Sequence, residues 1–138
     1  MNGSENLWIM KPTCLSRGRG VKLFSGFTSI INQLKMSDVT WVCQKYMEDP
    51  LLYRNRKMDI RQWCLVLDFD PVQIWFFEKC YVRLSTEEYD LKDYKNRFKH
   101  LTNNSVNKNS ENFVKEEGFL GQDEFKVHLD ALHGKGSF

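Results

Sequence analysis

With 138 residues, 41% of them hydrophobic and 14% aromatic, the chain has the apolar content of a folded domain, which excludes overall disorder, and the length of one domain or part of one. Its 20 basic and 18 acidic side chains leave a net charge of only +2, too little to draw the whole protein toward nucleic acid or an anionic membrane. The most apolar stretch, Val72 to Phe77, is far too short to span a bilayer, and no cationic start precedes an apolar run, so a cytosolic chain without a membrane partner is expected.

Leu7 to Lys11 reads as a strand ending at Pro12, and Ser16-Arg-Gly-Arg-Gly20 as a flexible loop feeding a second strand, Val21 to Phe24. Phe27, Ile30, Ile31 and Leu34 follow helical spacing and predict a short amphipathic helix, after which Trp41 to Tyr46 resumes strand character. From Lys57 the period is two, which places Lys57, Asp59 and Arg61 on one strand face with Trp63, Leu65 and Leu67. Asp68-Phe-Asp-Pro71 reads as a turn, and Val72 to Phe77 with Tyr81 to Leu84 as two more antiparallel strands forming the best-defined core.

Ser85 or Thr86 is expected to cap a helical turn carrying Tyr89, Leu91 and Tyr94. The Asn/Ser/Lys-rich stretch from Asn103 to Asn112 is too polar to pack and reads as a mobile surface loop, with the polar segment reaching residue 121. Asp123 is expected to cap a final helix over 122–132 with Phe125, Leu129 and Leu132 as its apolar stripe. The four cysteines, Cys14, Cys43, Cys64 and Cys80, show no CxxC pair or zinc-ligand spacing and read as reduced, mostly buried thiols.

Three groups of residues could carry chemistry. Between Lys11 and Lys22 stand four cations, Lys11, Arg17, Arg19 and Lys22, and no acid. Glycines 18 and 20 let backbone N–H groups approach a polyphosphate, although no Walker loop is present. An isolated basic run of this kind also suits a solvated turn or an RNA-friendly loop. In the second group, Lys57, Asp59 and Arg61, cations alternate with an anion. That is either surface self-pairing, worth about 0–1 kcal/mol per exposed pair, or a set of cations holding phosphate or carboxylate oxygens with Asp59 orienting one of them.

Third, Arg83 leaves an aromatic strand, either covering apolar surface with its stem or meeting an anion, and His100-Leu-Thr-Asn-Asn104 follows, with His100 suited to a hydrogen-bonded structural role. No Ser-His-Asp order, HExxH or paired-carboxylate motif appears, so hydrolase chemistry has nothing to rest on. Glu48, Asp68 and Asp70 lack the spacing of metal ligands.

Taken in order, Trp8-Ile-Met-Lys-Pro12, Ser16 to Gly20, Gln44-Lys-Tyr46 with Asp49-Pro-Leu-Leu52, Lys57-Met-Asp-Ile-Arg-Gln-Trp63, Tyr81-Val-Arg83 and His100 to Asn104 resemble the tubulin-tyrosine-ligase-like family over roughly residues 7–108. The resemblance implies a partial ATP-grasp fold of the α+β class, with antiparallel strands, a glycine-rich flap and short helices. It implies ATP as cofactor and phosphorylation of a carboxylate on tubulin, followed by attack of an amino acid's amine on the acyl phosphate. By carry-over, Lys11 contacts the ATP phosphates and Ser16, Arg17, Gly18, Arg19 and Gly20 form the flap. Gln44, Lys45, Tyr46 and Met47 line the adenine hinge, Lys57 and Asp59 the nucleotide side of the cleft, and Arg61 its acceptor side. Arg83, Thr102 and Asn103 steady the acyl phosphate or the incoming amino acid.

Within the family, Lys57 to Trp63, Phe69-Asp-Pro71, Val72-Gln-Ile-Trp75 and Asn103-Asn104-Ser105 resemble the tubulin glycylases more than the glutamylases. The resemblance thus implies glycine as the incoming amino acid, the acidic C-terminal tails of tubulin in microtubules as partner, and a place in the cytoplasm and cytoskeleton, in a cilium or flagellar axoneme. Glutamate or tyrosine ligation is the alternative within the family. Outside it stand a non-catalytic microtubule-binding fragment and a nucleic-acid-binding module, the latter disfavoured by the near-neutral charge. In the family an aspartate and a Glu-x-Asn element hold Mg2+; the chain stops at Phe138 without them. The expectation is that its metal ligands lie outside these residues, and that the polypeptide alone binds ATP poorly and catalyses little.

Overall fold

A computed structural model describes residues 3 and 5–137. Three antiparallel sheets carry the architecture. The first has the order β2-β1-β3, built from β1 (Leu7–Pro12), β2 (Lys22–Ser25) and β3 (Trp41–Lys45), with α1 (Phe27–Lys35) between β2 and β3. The second has the order β4-β5-β8-β9, from β4 (Leu52–Tyr53), β5 (Arg56–Arg61), β8 (Tyr81–Glu88) and β9 (Phe119–Gly121). The third is a separate hairpin of β6 (Cys64–Phe69) and β7 (Val72–Phe76). Short helices α2 (Arg97–His100) and α3 (Asn104–Asn107) and the longer α4 (Gln122–His133) complete the chain. This is a mixed fold of antiparallel sheets with few, short helices. Among the described residues no helix is long and apolar enough to cross a membrane.

The second sheet holds the larger core. Val82 and Leu84 point to one side of β8 and pack with Tyr53, Leu120 and Phe125, with Met58 and Leu129 at the margin. Because side chains alternate along a strand, Arg83 and Ser85 are turned to the other side. A second cluster, Leu7, Leu23 and Tyr46, is flanked by Ile9, Tyr89, Leu91 and Tyr94. It ties the first sheet to the segment that follows β8.

Several expectations are corrected. The period-two face does not run on from Arg61 to Leu67: the chain leaves the second sheet at Gln62 and Trp63, and Gln62 Nε2 donates to the carbonyls of Trp63 and Phe77 at the base of the hairpin. The hairpin is not core. Every residue of β6 and β7 is exposed, Phe69 at 81% and Trp75 at 67%, because no described element packs on it. The core strand of that region is β8 alone. Its turn is also tighter than expected, since β6 continues through Phe69.

Ser85 and Thr86 are not caps; they lie within β8, and the following helical turn is capped by Asp90, whose side chain accepts from Lys92 N. The stretch after Asn103 is not wholly a loose loop. Val106 and Asn107 are buried in α3, and Asn107 Nδ2 donates to Leu84 O at 3.0 Å. One apolar residue and a side-chain amide that replaces a backbone partner suffice to dock so polar a segment.

The last helix begins one residue before the expected cap, with Gly121 at the capping position, and Phe125 is its buried anchor while Leu132 is exposed. In α1 only Ile30 is buried, with Phe27 exposed. Three of the four cysteines, Cys14, Cys43 and Cys64, are exposed, because they lie in a loop, on a sheet face and on the uncovered hairpin.

Candidate functional site

The charged face of the second sheet follows from the register. Asp59 lies directly opposite Arg83 in the β5–β8 ladder, the spacing at which cross-strand side chains meet. Arg83 Nε and Nη2 donate to Asp59 Oδ1 and Oδ2 at 3.1 and 2.8 Å, a forked pair, and Arg61 Nη2 donates to Oδ2 at 3.0 Å. One carboxylate thus orients two guanidiniums. The Arg83 side chain is 16% exposed and Arg61 44% exposed, so Arg83 is the fixed member and Arg61 keeps most of its donors open to an incoming anion.

Lys57 stands two residues back on the same strand face, and its surroundings differ. Its Nζ donates to Tyr46 Oη at 2.6 Å, lies 4.1 Å from the Tyr46 ring centroid and 5.9 Å from that of Tyr89. Among the described residues no carboxylate forms an ion pair with it. Burial pulls its pKa from the ordinary 10.5 down to about 8; the Lys11 ammonium nearby adds to the fall and Asp59 opposes it. The Lys11 ammonium thus acts on Lys57 electrostatically, and Lys57 itself is half-buried and, among the described residues, paired with no acid. An anion placed between them would relieve both the repulsion and the burial cost.

Behind Lys57 runs a hydrogen-bonded relay. Tyr46 Oη and His100 Nδ1 are 2.9 Å apart, and His100 Nε2 lies 3.3 Å from the Asp93 carbonyl. The carbonyl can only accept, which assigns the proton to Nε2, so Nδ1 accepts from Tyr46 and Tyr46 in turn accepts from Lys57. Burial lowers the His100 pKa and keeps the ring neutral, with Lys57 adding to the effect. The phenols are pushed the other way: burial raises Tyr46 strongly and Tyr89 to about 12.

The first sheet supplies Lys11. Its Nζ donates to Gln44 Oε1 at 2.7 Å, across the pair of β1 and β3. Lys11, Lys57, Asp59, Arg83 and Arg61 thus form a connected run from one sheet to the next, each within electrostatic or hydrogen-bond reach of its neighbour. Lys45 points the opposite way from Gln44, as strand alternation requires. It pairs with buried Glu48, which also accepts from the amides of Leu7 and Glu5 at 2.7 and 2.8 Å. Burial raises the Glu48 carboxyl, but the bonds from Lys45, Leu7 and Glu5 outweigh it and hold the group below the usual range. That carboxylate fastens the start of β1. Met47 lies on an apolar groove with Met58 and Ile60, away from the charged face.

The glycine loop has a defined seat. Arg17 and Gly18 have φ of 60° and 76°, and a Cβ on Gly18 would come within 2.6 Å of Asn103 Oδ1, so only glycine fits there. Ser105 Oγ donates to Arg17 O at 2.6 Å. Ser16, also bonded through its carbonyl to Arg19 Nε, Arg17, Gly18 and Arg19 therefore form a turn resting on Asn103 and α3, with buried Thr102 just before it. No hydrogen bond joins Thr102 or Asn103 to Arg83. Sequence reasoning puts Tyr89 on a helical turn and Ser105 in a family motif, and misses that Tyr89 walls in Lys57 and that Ser105 clamps the loop. An aromatic directly after a strand and a serine in an asparagine-rich run have no spacing signal of their own.

Chemically, the arrangement suits binding of a polyanion by separated cations. A magnesium cage does not fit it, since among the described residues no three His, Cys, Asp or Glu side chains come together as metal ligands.

The fold and face thus define a cation-bearing piece of a mixed α/β protein with antiparallel sheets. Residues 1–133 match the tubulin-tyrosine ligase family, and the chain belongs to that family. It is 44% identical over 140 residues to tubulin glycylase 3B of Tetrahymena thermophila, covering 100% of the chain and 12% of that protein. It is 38% identical over 143 residues to the human tubulin monoglycylase TTLL3, covering 96% of the chain and 18% of the relative. To the mouse protein monoglycylase TTLL8 it is 38% identical over 117 residues, covering 81% of the chain and 14% of the relative. The resemblance to the glycylase branch therefore holds, and the chain spans less than a fifth of the length of these relatives.

Proposed function

We propose that these residues form the cation-bearing part of an ATP-grasp ligase that joins glycine to glutamate side chains of tubulin tails in the cytoskeleton, including that of a cilium or axoneme. The observation that carries the reading is the Lys57 ammonium, bonded to Tyr46 Oη and paired with no acid among the described residues, on the strand face that continues to Asp59, Arg83 and Arg61. In this reading Lys11 and Lys57 hold ATP phosphates, under a flap formed by Ser16 to Gly20. The hinge of Gln44, Lys45, Tyr46 and Met47 takes the base, although Lys45 is engaged by Glu48 and makes its contribution through its backbone. Asp59 sets the two arginines so that Arg83 and Arg61 meet the acceptor carboxylate and the acyl phosphate formed when the γ-phosphoryl group moves onto it. Asn103 lies against Gly18 of the flap, and Thr102 and Asn103 steady the acyl phosphate or the incoming amino acid.

The chemistry requires two anions to be brought together, and fixed cations aimed at the developing charge supply most of the stabilisation. Magnesium contributes charge neutralisation in such reactions, and among the described residues no three His, Cys, Asp or Glu side chains gather to hold it. Its ligands fall to other parts of a complete ligase, and the 138-residue chain alone is expected to turn over little.

The test is a segment exchange. These residues replace the matching segment of Tetrahymena thermophila tubulin glycylase 3B, and incorporation of labelled glycine, glutamate and tyrosine into tubulin is measured. Glycine incorporation that vanishes with Lys11→Ala or Arg83→Ala is the expected result. Full activity of either variant would refute the roles assigned to these cations, and incorporation of glutamate alone would overturn the choice of amino acid.

A further inference from the structure

Away from the cation run, a groove of about 590 Å³ lies along β2, from Gly20 to Ser25. Its walls come from opposite faces of that strand. On one side Lys22 Nζ donates to Gln33 Oε1 of α1 at 2.9 Å. On the other, Ser25 Oγ and Tyr94 Oη are 2.9 Å apart, and Tyr94 packs against the cluster that contains Leu23. Residues 22 and 23 point to opposite faces of a strand, so the floor between the walls is the edge of β2 itself. That edge is open, because β2 is the outermost strand of its sheet. Tyr46 N donates to Leu7 O, so Leu7 and Ile9 face β3 while Trp8 and Met10 face β2 opposite Phe24 and Lys22; with the Ser25 carbonyl taken by Ser29 Oγ, Leu23 is the residue that turns both its N–H and its C=O to the open edge.

The lining carries Lys22, Lys95 and Arg97, all exposed, and among the described residues no Asp or Glu. An edge strand with free backbone groups is a template for an added strand. An added strand alternates its side chains between the two walls. Lys22 stands on one wall, and Lys95 and Arg97 come from the segment that forms the other, so acids at successive positions are all matched, whereas a peptide with acids at every second position meets only one wall.

The geometry points to this groove as the docking site of an extended peptide with an uninterrupted run of carboxylates, added as a fourth strand on β2. The binding claim stands on the groove alone; naming the peptide as the glutamate-rich acceptor rests on the ligase reading above.

The experiment is fluorescence anisotropy with labelled octaglutamate and the 138-residue chain at low salt, without nucleotide. Expected are a tenfold or greater weakening by the Lys95→Glu/Arg97→Glu double substitution, a similar loss with Lys22→Glu, and less than a twofold change with Lys126→Met, an exposed lysine of α4 outside both charged faces. These side chains are exposed, and circular dichroism checks that each variant keeps its fold. A second arm needs no variant. Octaglutamate N-methylated at alternate residues keeps its charge but loses the amides that a strand edge requires, and is expected to bind at least tenfold more weakly.

Unchanged affinity of the groove variants, absence of binding, equal binding of the N-methylated peptide, or equal affinity for an oligouridylate would each overturn the proposal. So would loss of binding with Lys57→Met alone, which would place the acids on the cation run. Octaglutamate binding in the groove together with ATP binding indifferent to Lys57 would leave the docking site standing and remove the ligase reading.

Discussion

Replacing Lys57 by methionine isolates the physical claim on which the nucleotide reading depends. A fall of the pKa from 10.5 to about 8 means that the charged form is disfavoured in the folded protein by ~3 kcal/mol, at about 1.4 kcal/mol per tenfold change. Against this stand the contact with the Tyr46 ring, about 0.5–2 kcal/mol, and one hydrogen bond to Tyr46 Oη, about 1 kcal/mol. Tyr46 keeps His100 as a partner in the variant. Methionine preserves the stem and removes the charge, so Lys57→Met is expected to leave urea stability at pH 7 unchanged or to raise it by up to about 2 kcal/mol, while weakening ATP or tripolyphosphate binding tenfold or more.

The pH dependence supplies the sign. Between the folded value near 8 and the unfolded value of 10.5 the unfolded chain binds more protons at this residue, so wild-type stability rises with pH through that window. The tyrosines oppose it only above about pH 10, where the unfolded phenols ionise before the buried ones. The difference between wild type and Lys57→Met, followed by urea unfolding from pH 7 to 9.5, should therefore shift in favour of the wild type as pH rises. A variant destabilised by 2 kcal/mol or more at pH 7, or a difference flat in pH, would refute the reasoning, because Lys57 would then be an ordinary stabilising residue.

Glu48→Ala strips the acceptor from the Leu7 and Glu5 amides and leaves Lys45 with the Leu7 carbonyl as its partner, and should cost about 1–3 kcal/mol in urea unfolding. Since the Glu48 carboxyl is held below its ordinary 4.5, its contribution is present above that pH and is lost as the pH falls below it. Gly18→Ala forces a side chain onto a positive φ and against Asn103, which should cost about 1–2 kcal/mol and make the Arg17-Gly18 bond more readily cut by limited proteolysis. Phe125→Ala opens the core of the second sheet and should lower stability by about 3–5 kcal/mol, read as a lower urea midpoint. Because burial lowers the His100 pKa, stability should fall as the pH drops through the unfolded value near 6.5, and His100→Gln should flatten that decline in acid unfolding curves.

Local patterning carries a good part of this protein in one dimension. The strands of the first sheet, the glycine loop, the short helix after Ser25, the final helix and the period-two face from Lys57 to Arg61 are all written in alternation, spacing and turn residues, which depend only on near neighbours along the chain. The family is legible for the same reason, since its motifs are short and keep their order.

What local pattern could not decide was where chain segments meet. Lys45 and Gln44 are adjacent in sequence and equally polar, yet only strand pairing turns one to Lys11 and the other to Glu48. The apolar run of β6 and β7 promised a core, but burial depends on a covering partner, and none of the described elements supplies it. Val106 and Asn107 dock a segment too polar by composition to pack, because one side-chain amide finds the Leu84 carbonyl. The low pKa of Lys57 and the open edge of β2 likewise arise from contacts between residues far apart along the chain, so they exist only once the sheets are assembled.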